Sequence, residues 1–144
     1  MGDLVRQSEN VRLIQIGLSG DLGAGKTTFV QGLARGLGID PKHYVSSPTF
    51  TLINEYLIPA NRWGYTKLVH VDLYRIDHPR EGQTLGLEEY LVPGHVVVIE
   101  WVEKIPELQK RMDYLVRLES GEGDSRVIHF LDSHSSERKE RRHP

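Results

Sequence analysis

Residues Gly20-Asp21-Leu22-Gly23-Ala24-Gly25-Lys26-Thr27 fit the pattern G-x-x-x-x-G-K-[ST]. The spacing has a mechanical reason. The glycines let the backbone curl, so that N–H groups around Gly23 to Lys26 point inward at phosphate oxygens. A helix beginning near Lys26 adds the positive end of its dipole, and Lys26 brings a full charge to the β- and γ-phosphates. The Thr27 hydroxyl is placed for Mg²⁺ and Thr28 for the α-phosphate. Such a loop requires a strand before it and a helix behind it, which commits the chain to an α/β fold.

Both flanks are legible. Val11 to Leu18 is rich in β-formers and apolar groups, as a buried strand is. Behind the loop, Phe29, Val30, Leu33, Ala34 and Leu37 recur at helical spacing, and Gly36 and Gly38 supply a stop. The chain is therefore expected to bind a nucleotide.

At 144 residues it is expected to form a single domain over 1–132, followed by a basic tail over 133–144. A hydrophobic content of 38% with 26% charged residues is that of an ordinary globular protein. The chain has no cysteine, which excludes disulfides, thiolate zinc sites and cysteine-held iron–sulfur clusters. Residues 1–10 are polar and charged, without the apolar core of a signal peptide, and no run approaches membrane-spanning length. The expected location is cytoplasmic, with no membrane partner. A net charge of −2 gives no global field for gripping nucleic acid, so any RNA contact must come from a local patch or a partner.

Further along, Ser46-Ser47-Pro48-Thr49-Phe50-Thr51 leads into a strand over Thr51 to Ile58. It reads either as a polar loop with its proline ahead of the strand, or as a switch-like loop with hydroxyls facing the γ-phosphate. Pro59 to Lys67 reads as a hairpin loop. Leu68 to Asp72 is a strand closing on an acid, which in phosphate-loop proteins serves Mg²⁺ or the attacking water, and elsewhere caps the following turn. Asp77 to Thr84 reads as a polar loop, and Leu85 to Leu91 as a short amphipathic helix ended by Pro93-Gly94. Val96 to Ile99 is the clearest buried strand, and it too closes on an acid, Glu100, followed by Trp101. Asp72 and Glu100 thus compete for one cation.

Val102 to Arg111 suggests a helix and loop. Tyr114 to Glu119 and Arg126 to Phe130 alternate apolar and polar side chains, as two half-exposed strands joined by the turn 120–124. Arg126 lies just past that turn, placed either to reach a nucleotide or to remain a solvated strand arginine. The tail, with Arg138, Lys139, Arg141 and Arg142 among acids, has no apolar pattern and is expected to be disordered. The histidines show no ligand spacing, so His70, His78 and His95 are expected to be structural.

The strings N-K-x-D and D-x-x-G, which guanine-specific switches carry, are absent, which favours ATP. A small-metabolite kinase would want an arginine-bearing lid, for which Pro106 to Met112, with Lys110 and Arg111, is the candidate. A non-catalytic module in which ATP only orders a partner surface is the other alternative.

Taken in order, Gly20 to Thr28, Ser47-Pro48-Thr49-Phe50-Thr51-Leu52, His70 to Arg75, Gly86 to Leu91 and Glu100-Trp101 resemble the bacterial tRNA threonylcarbamoyladenosine biosynthesis ATPases, the TsaE type. The resemblance runs from about Val11 to Phe130. It implies a P-loop NTPase fold with a mixed sheet flanked by helices, and Mg²⁺-dependent hydrolysis of ATP. It also implies work beside the protein pair that transfers a threonylcarbamoyl group to tRNA, with tRNA touched indirectly or weakly. Carried over by position, Gly23, Ala24, Gly25, Lys26, Thr27 and Thr49 are candidate nucleotide contacts, to which the loop itself adds Asp21 and Thr28 and the position just past the turn 120–124 adds Arg126. Thr27 and Glu100 would hold Mg²⁺, Asp72 would support hydrolysis, and Lys26, Asp72 and Glu100 form the candidate catalytic set. Thr51 would line the γ-phosphate side and Trp101 would back the site. The helix that such proteins place ahead of the first strand is expected to be short or missing, because residues 1–10 are polar.

Overall fold

The fold was established from a computed structural model of the chain, which describes residues 11–20, 25–43, 52–123 and 125–133, together with the backbone of 141–143. The phosphate-loop residues 21–24, the hydroxyl-rich stretch 44–51 and tail residues 134–140 lie outside the described residues.

Among the described residues the sheet has seven strands in the order β2-β3-β4-β1-β5-β6-β7. They are β1 Ile14–Gly20, β2 Ile53–Leu57, β3 Lys67–Asp72, β4 His95–Glu100, β5 Tyr114–Ser120, β6 Arg126–Asp132 and β7 Arg141–His143. β3, β4, β1 and β5 run parallel, whereas β2, β6 and β7 pair antiparallel to their neighbours. Parallel strands are covered on both faces, and the sequence shows it: Val96 to Ile99 in β4 are all buried without alternation. The result is a mixed sheet flanked by helices, the α/β arrangement that the loop demanded.

Helix α1, Lys26–Gly36, buries Lys26, Val30 and Ala34, spaced one turn apart, against one face of the sheet. That face collects Ile16, Leu18, Leu68, Val98, Val116 and Leu118. Full burial of Leu18 and Val30 contributes about 1.5–3 kcal/mol each. The helix ends where the glycines said it should: Gly38 sits at φ 85°, Gly38 N–H donates to Arg35, and Ile39 N–H donates back to Ala34. The opposite face holds Val69, Val71, Val97 and Ile99 under the two crossover connections. These contain α2 Glu81–Thr84, α3 Pro106–Gln109 and the 3₁₀ turns Leu87–Glu89 and Val102–Lys104. Among the described residues, no helix is long and apolar enough to cross a membrane.

Several sequence expectations need correction. β1 begins at Ile14 rather than Val11, because the Val11 carbonyl is used by Gly94 N–H and Arg12 turns aside to Asp113. The expected polar loop 77–84 contains α2, and the helix expected over Leu85 to Leu91 is only a 3₁₀ turn. Gly86, at φ 68°, separates the two and breaks the helical path. The hairpin between β2 and β3 is as expected. Its loop is organised by Asn61, whose amide donates to Pro59 and Tyr65 carbonyls at 2.9 and 2.8 Å. In the tail expected to be disordered, Arg141–His143 forms β7 along β6. Backbone pairing to an open strand edge needs no apolar face, so a pattern search for one could not find it.

Candidate phosphate and metal site at the carboxyl ends of the parallel strands

β1 delivers the chain to the loop at Gly20. Its φ of 136° is open to glycine, and a Cβ there would overlap the carbonyl oxygen of Leu118 on β5. The chain re-emerges at Gly25, also left-handed at φ 102°, as the cap of α1. No side chain caps this helix start and no acid lies in its first turn, which leaves its N–H groups and dipole to an anion. Thr27 is half-buried in that first turn and Thr28 is exposed.

Lys26 is 6% exposed. Its ammonium donates to the Gly20 carbonyl, and it stands 3.9 Å from the centroid of the Trp101 ring. Trp101 is the only described non-glycine residue at positive φ, 60°. Such a conformation costs on the order of 1–3 kcal/mol and persists where the surroundings enforce it. Here they do so from two sides. Tyr74 packs on the indole at 5.4 Å. Lys104 lies 5.8 Å from the same ring and donates to the carbonyls of Tyr74 and Ile76, tying the turn after β3 to the turn after β4.

The two competing acids are brought together. Asp72 and Glu100 are register partners at the ends of β3 and β4, and Leu18 of β1 is Glu100's partner on the other side. Register partners on parallel strands share a face, so both carboxylates lie on the α1 side. Glu100 is 3% exposed, and its Oε2 is 2.5 Å from Nε2 of the fully buried His70. A carboxylate oxygen accepts, so that nitrogen carries the hydrogen. Asp72 also does what the turn-capping reading required, since its Oδ1 accepts the Tyr74 N–H at 2.9 Å. Burial, and to a lesser degree the Glu100 charge, push the Asp72 carboxyl above the usual aspartate range, against the Tyr74 hydrogen bond. Two close carboxylates with one destabilised as an anion are a donor set suited to a hard divalent cation.

Of the other expected site residues, Asp21, Gly23, Ala24, Thr49 and Thr51 lie outside the described residues. Arg126 opens β6, two strands from β1, and its exposed guanidinium donates to the neighbouring Ser125 carbonyl at 2.9 Å. Arg75 is exposed on the turn after β3. Arg111, the lid candidate, is bound by both oxygens of Glu88 at 2.6 and 3.3 Å, and that hydrogen-bonded contact holds the Glu88 carboxyl below its usual range. The pair borders a cavity of about 630 Å³ between α2 and α3, on the face away from α1, and none of Lys26, Asp72, Glu100 or Trp101 lines it.

Sequence reasoning assigned His70 a structural place and did not foresee its contact with Glu100. The signal was present: His70 stands two residues before Asp72 on a strand, hence on the same face, beside a second strand ending in an acid. Among the described residues no group of three or more His, Asp or Glu side chains gathers as a metal cage. A cation held partly by nucleotide phosphates needs only one or two protein oxygens.

A glycine-bounded loop between β1 and α1, a buried lysine at the helix start and paired strand-end acids define a protein with the P-loop NTPase fold. The solved structure titled as Bacillus subtilis YdiB superposes with a TM-score of 0.61 at 32% identity, over 88% of this chain and 73% of that one. The family described as threonylcarbamoyl adenosine biosynthesis protein TsaE matches residues 1–128, and the chain belongs to that family. Proteins named tRNA threonylcarbamoyladenosine biosynthesis protein TsaE are similar to it. The one from a Nostoc species is 51% identical over 62% of this chain and 52% of its own length. The one from Bacillus subtilis is 44% identical over 78% of this chain and 66% of its own length. The matched region thus spans between half and two-thirds of these two relatives.

Proposed function

We propose that the chain is a Mg²⁺-dependent ATPase subunit of the assembly that makes threonylcarbamoyladenosine in tRNA. The observation that carries this reading is the convergence of Lys26, Asp72, Glu100 and Trp101 at the carboxyl ends of β1, β3 and β4. Family membership supports the biosynthetic role.

In this reading the start of α1 and the loop before it bind the phosphates, with Lys26 leaving the Gly20 carbonyl for the β/γ-phosphate oxygens. Thr27 and Glu100 hold Mg²⁺, which supplies neutralisation of phosphate charge. Asp72, whose carboxyl is already drawn toward its protonated form, orients or accepts a proton from the attacking water. Trp101 walls off the lysine from solvent on one side.

Hydrolysis also needs positive charge at the γ-phosphate beyond the loop lysine. Arg75 and Arg126 both point to solvent or to a local carbonyl, so the isolated chain should turn over slowly. The threonylcarbamoyl-transfer proteins would complete the site, by supplying an arginine, an effect worth ~10³–10⁵-fold elsewhere.

The test is phosphate release by the purified chain, alone and then with the transfer proteins and tRNA. Slow release accelerated by those additions is expected, and Lys26→Ala should remove about 2–3 kcal/mol of nucleotide or transition-state binding. Fast release unaffected by partners, or wild-type ATP binding and turnover in Lys26→Ala, overturns the reading. Label from the γ-phosphate appearing on an organic acceptor would instead identify a kinase.

A further inference from the structure

His70 has no exposed surface and sits on the same face of the sheet as Leu68 and Val98, where an apolar side chain would pack without any polar group to satisfy. Its Nε2 is spent on Oε2 of Glu100, itself almost wholly buried. A buried ion pair or polar pair is weak evidence of stability, since well-packed apolar replacements are often as stable. A buried carboxylate free to rotate next to Asp72 would, however, be poorly aimed at any cation.

We propose that His70 is the positioning residue for Glu100: it holds Oε2 and so fixes the carboxylate, leaving Oε1 to serve the divalent cation. The inference rests on the Mg²⁺ reading of Glu100 given above. Groups that orient a metal ligand from behind are worth about 10–100-fold in metal affinity when lost. Their effect is on the cation, not on the phosphates. The geometry separates the two, because His70 reaches the site through Glu100 on β4, whereas phosphate recognition belongs to Lys26 and the start of α1.

The experiment measures Mn²⁺ affinity by electron paramagnetic resonance in the presence of ADP, with ADP affinity measured separately in chelator. It compares wild type, Glu100→Gln, His70→Leu, His70→Asn and His70→Gln. A glutamine amide extends far enough to donate to the same carboxylate oxygen; an asparagine amide is too short.

His70→Leu and His70→Asn should lose about 10–100-fold in Mn²⁺ affinity, His70→Gln should recover most of it, and metal-free ADP affinity should hold throughout. Should His70→Leu not fold, the contrast between Asn and Gln still decides. Loss in Glu100→Gln with wild-type affinity in His70→Leu or His70→Asn overturns the positioning role and spares the metal assignment. Equal loss in Asn and Gln variants overturns it too, because packing would then explain both. Unchanged affinity in Glu100→Gln removes the metal assignment itself, and the positioning role with it.

Discussion

Among the described residues are two histidine–glutamate pairs, and they differ in almost every respect that sets an interaction's strength. His70 and Glu100 join the inner parallel strands β3 and β4, with side chains 0% and 4% exposed and a 2.5 Å contact. His129 and Glu119 join β6 and β5, in the antiparallel part of the sheet; they are 3.3 Å apart, and the glutamate is 48% exposed. Glu119 also meets Arg117 at 3.2 Å, so its charge is shared and solvated. Neither ring nitrogen of the buried His129 has a hydrogen-bond partner among the described residues. Proximity alone therefore says little. The inner pair is two buried polar groups that satisfy each other, and the outer pair is a solvated carboxylate beside an unsatisfied ring.

The largest effect should come from removing one member of the inner pair. His70→Leu leaves Glu100 buried and without this partner, and should cost about 3–5 kcal/mol in urea unfolding. The matching change in the outer pair, His129→Leu, removes an unsatisfied polar ring and should leave stability unchanged or raise it. Similar losses at the two positions would break the comparison.

A second test uses Asp72, which shares the inner pair's end of the sheet. Its carboxyl is raised above the ordinary range, so the folded chain binds that proton more tightly than the unfolded chain does. The stabilisation is complete below the ordinary aspartate value of about 4 and is lost as pH rises through the raised one. Near neutrality the charge is thus a burden. Asp72→Asn keeps an oxygen for the Tyr74 N–H, and should melt higher than wild type near pH ~7 with the gap closing toward pH ~3. A gap that widens on acidification would mean that Asp72 is stabilised, not strained, as an anion. In the same variant hydrolysis should fall more than nucleotide binding does.

These contrasts also mark what sequence could and could not show. The G-x-x-x-x-G-K-T string announced β1 and α1, because such a local pattern carries its own demand for a strand before it and a helix behind it, independent of distant packing. β4 was legible from four consecutive β-branched residues, and β3 from its apolar run into Asp72. The β5–β6 hairpin followed from alternation. Pairing order is another matter: that Asp72 and Glu100 end as register neighbours depends on β3 and β4 lying side by side, which is a long-range fact. So does His70's contact with Glu100, although the His-x-Asp spacing on one strand face hinted at it. Trp101's left-handed backbone had no local signal, since it is enforced by Lys26, Tyr74 and Lys104 from three separate segments. α2 and β7 were missed for simpler reasons: one is too short to show a period, and the other pairs by backbone alone.

The smallest effect sharpens the comparison most, because it asks whether the outer pair is worth anything. Glu119 faces Arg117 and His129 across partly open surface, where ion pairs contribute about 0–1 kcal/mol and salt screens them. Glu119→Gln should therefore lower the thermal midpoint slightly at low ionic strength, and the difference should vanish in about 1 M salt. Glu100→Gln offers the control. Its contact with His70 is buried, where salt screens far less than at the surface, so whatever that variant loses should largely persist at the same salt. The measurement is the difference in melting temperature between each variant and wild type at the two salt concentrations. A salt-insensitive loss at Glu119 would place that residue in an environment as enclosed as the inner pair's, and the distinction between the two halves of the sheet would fail.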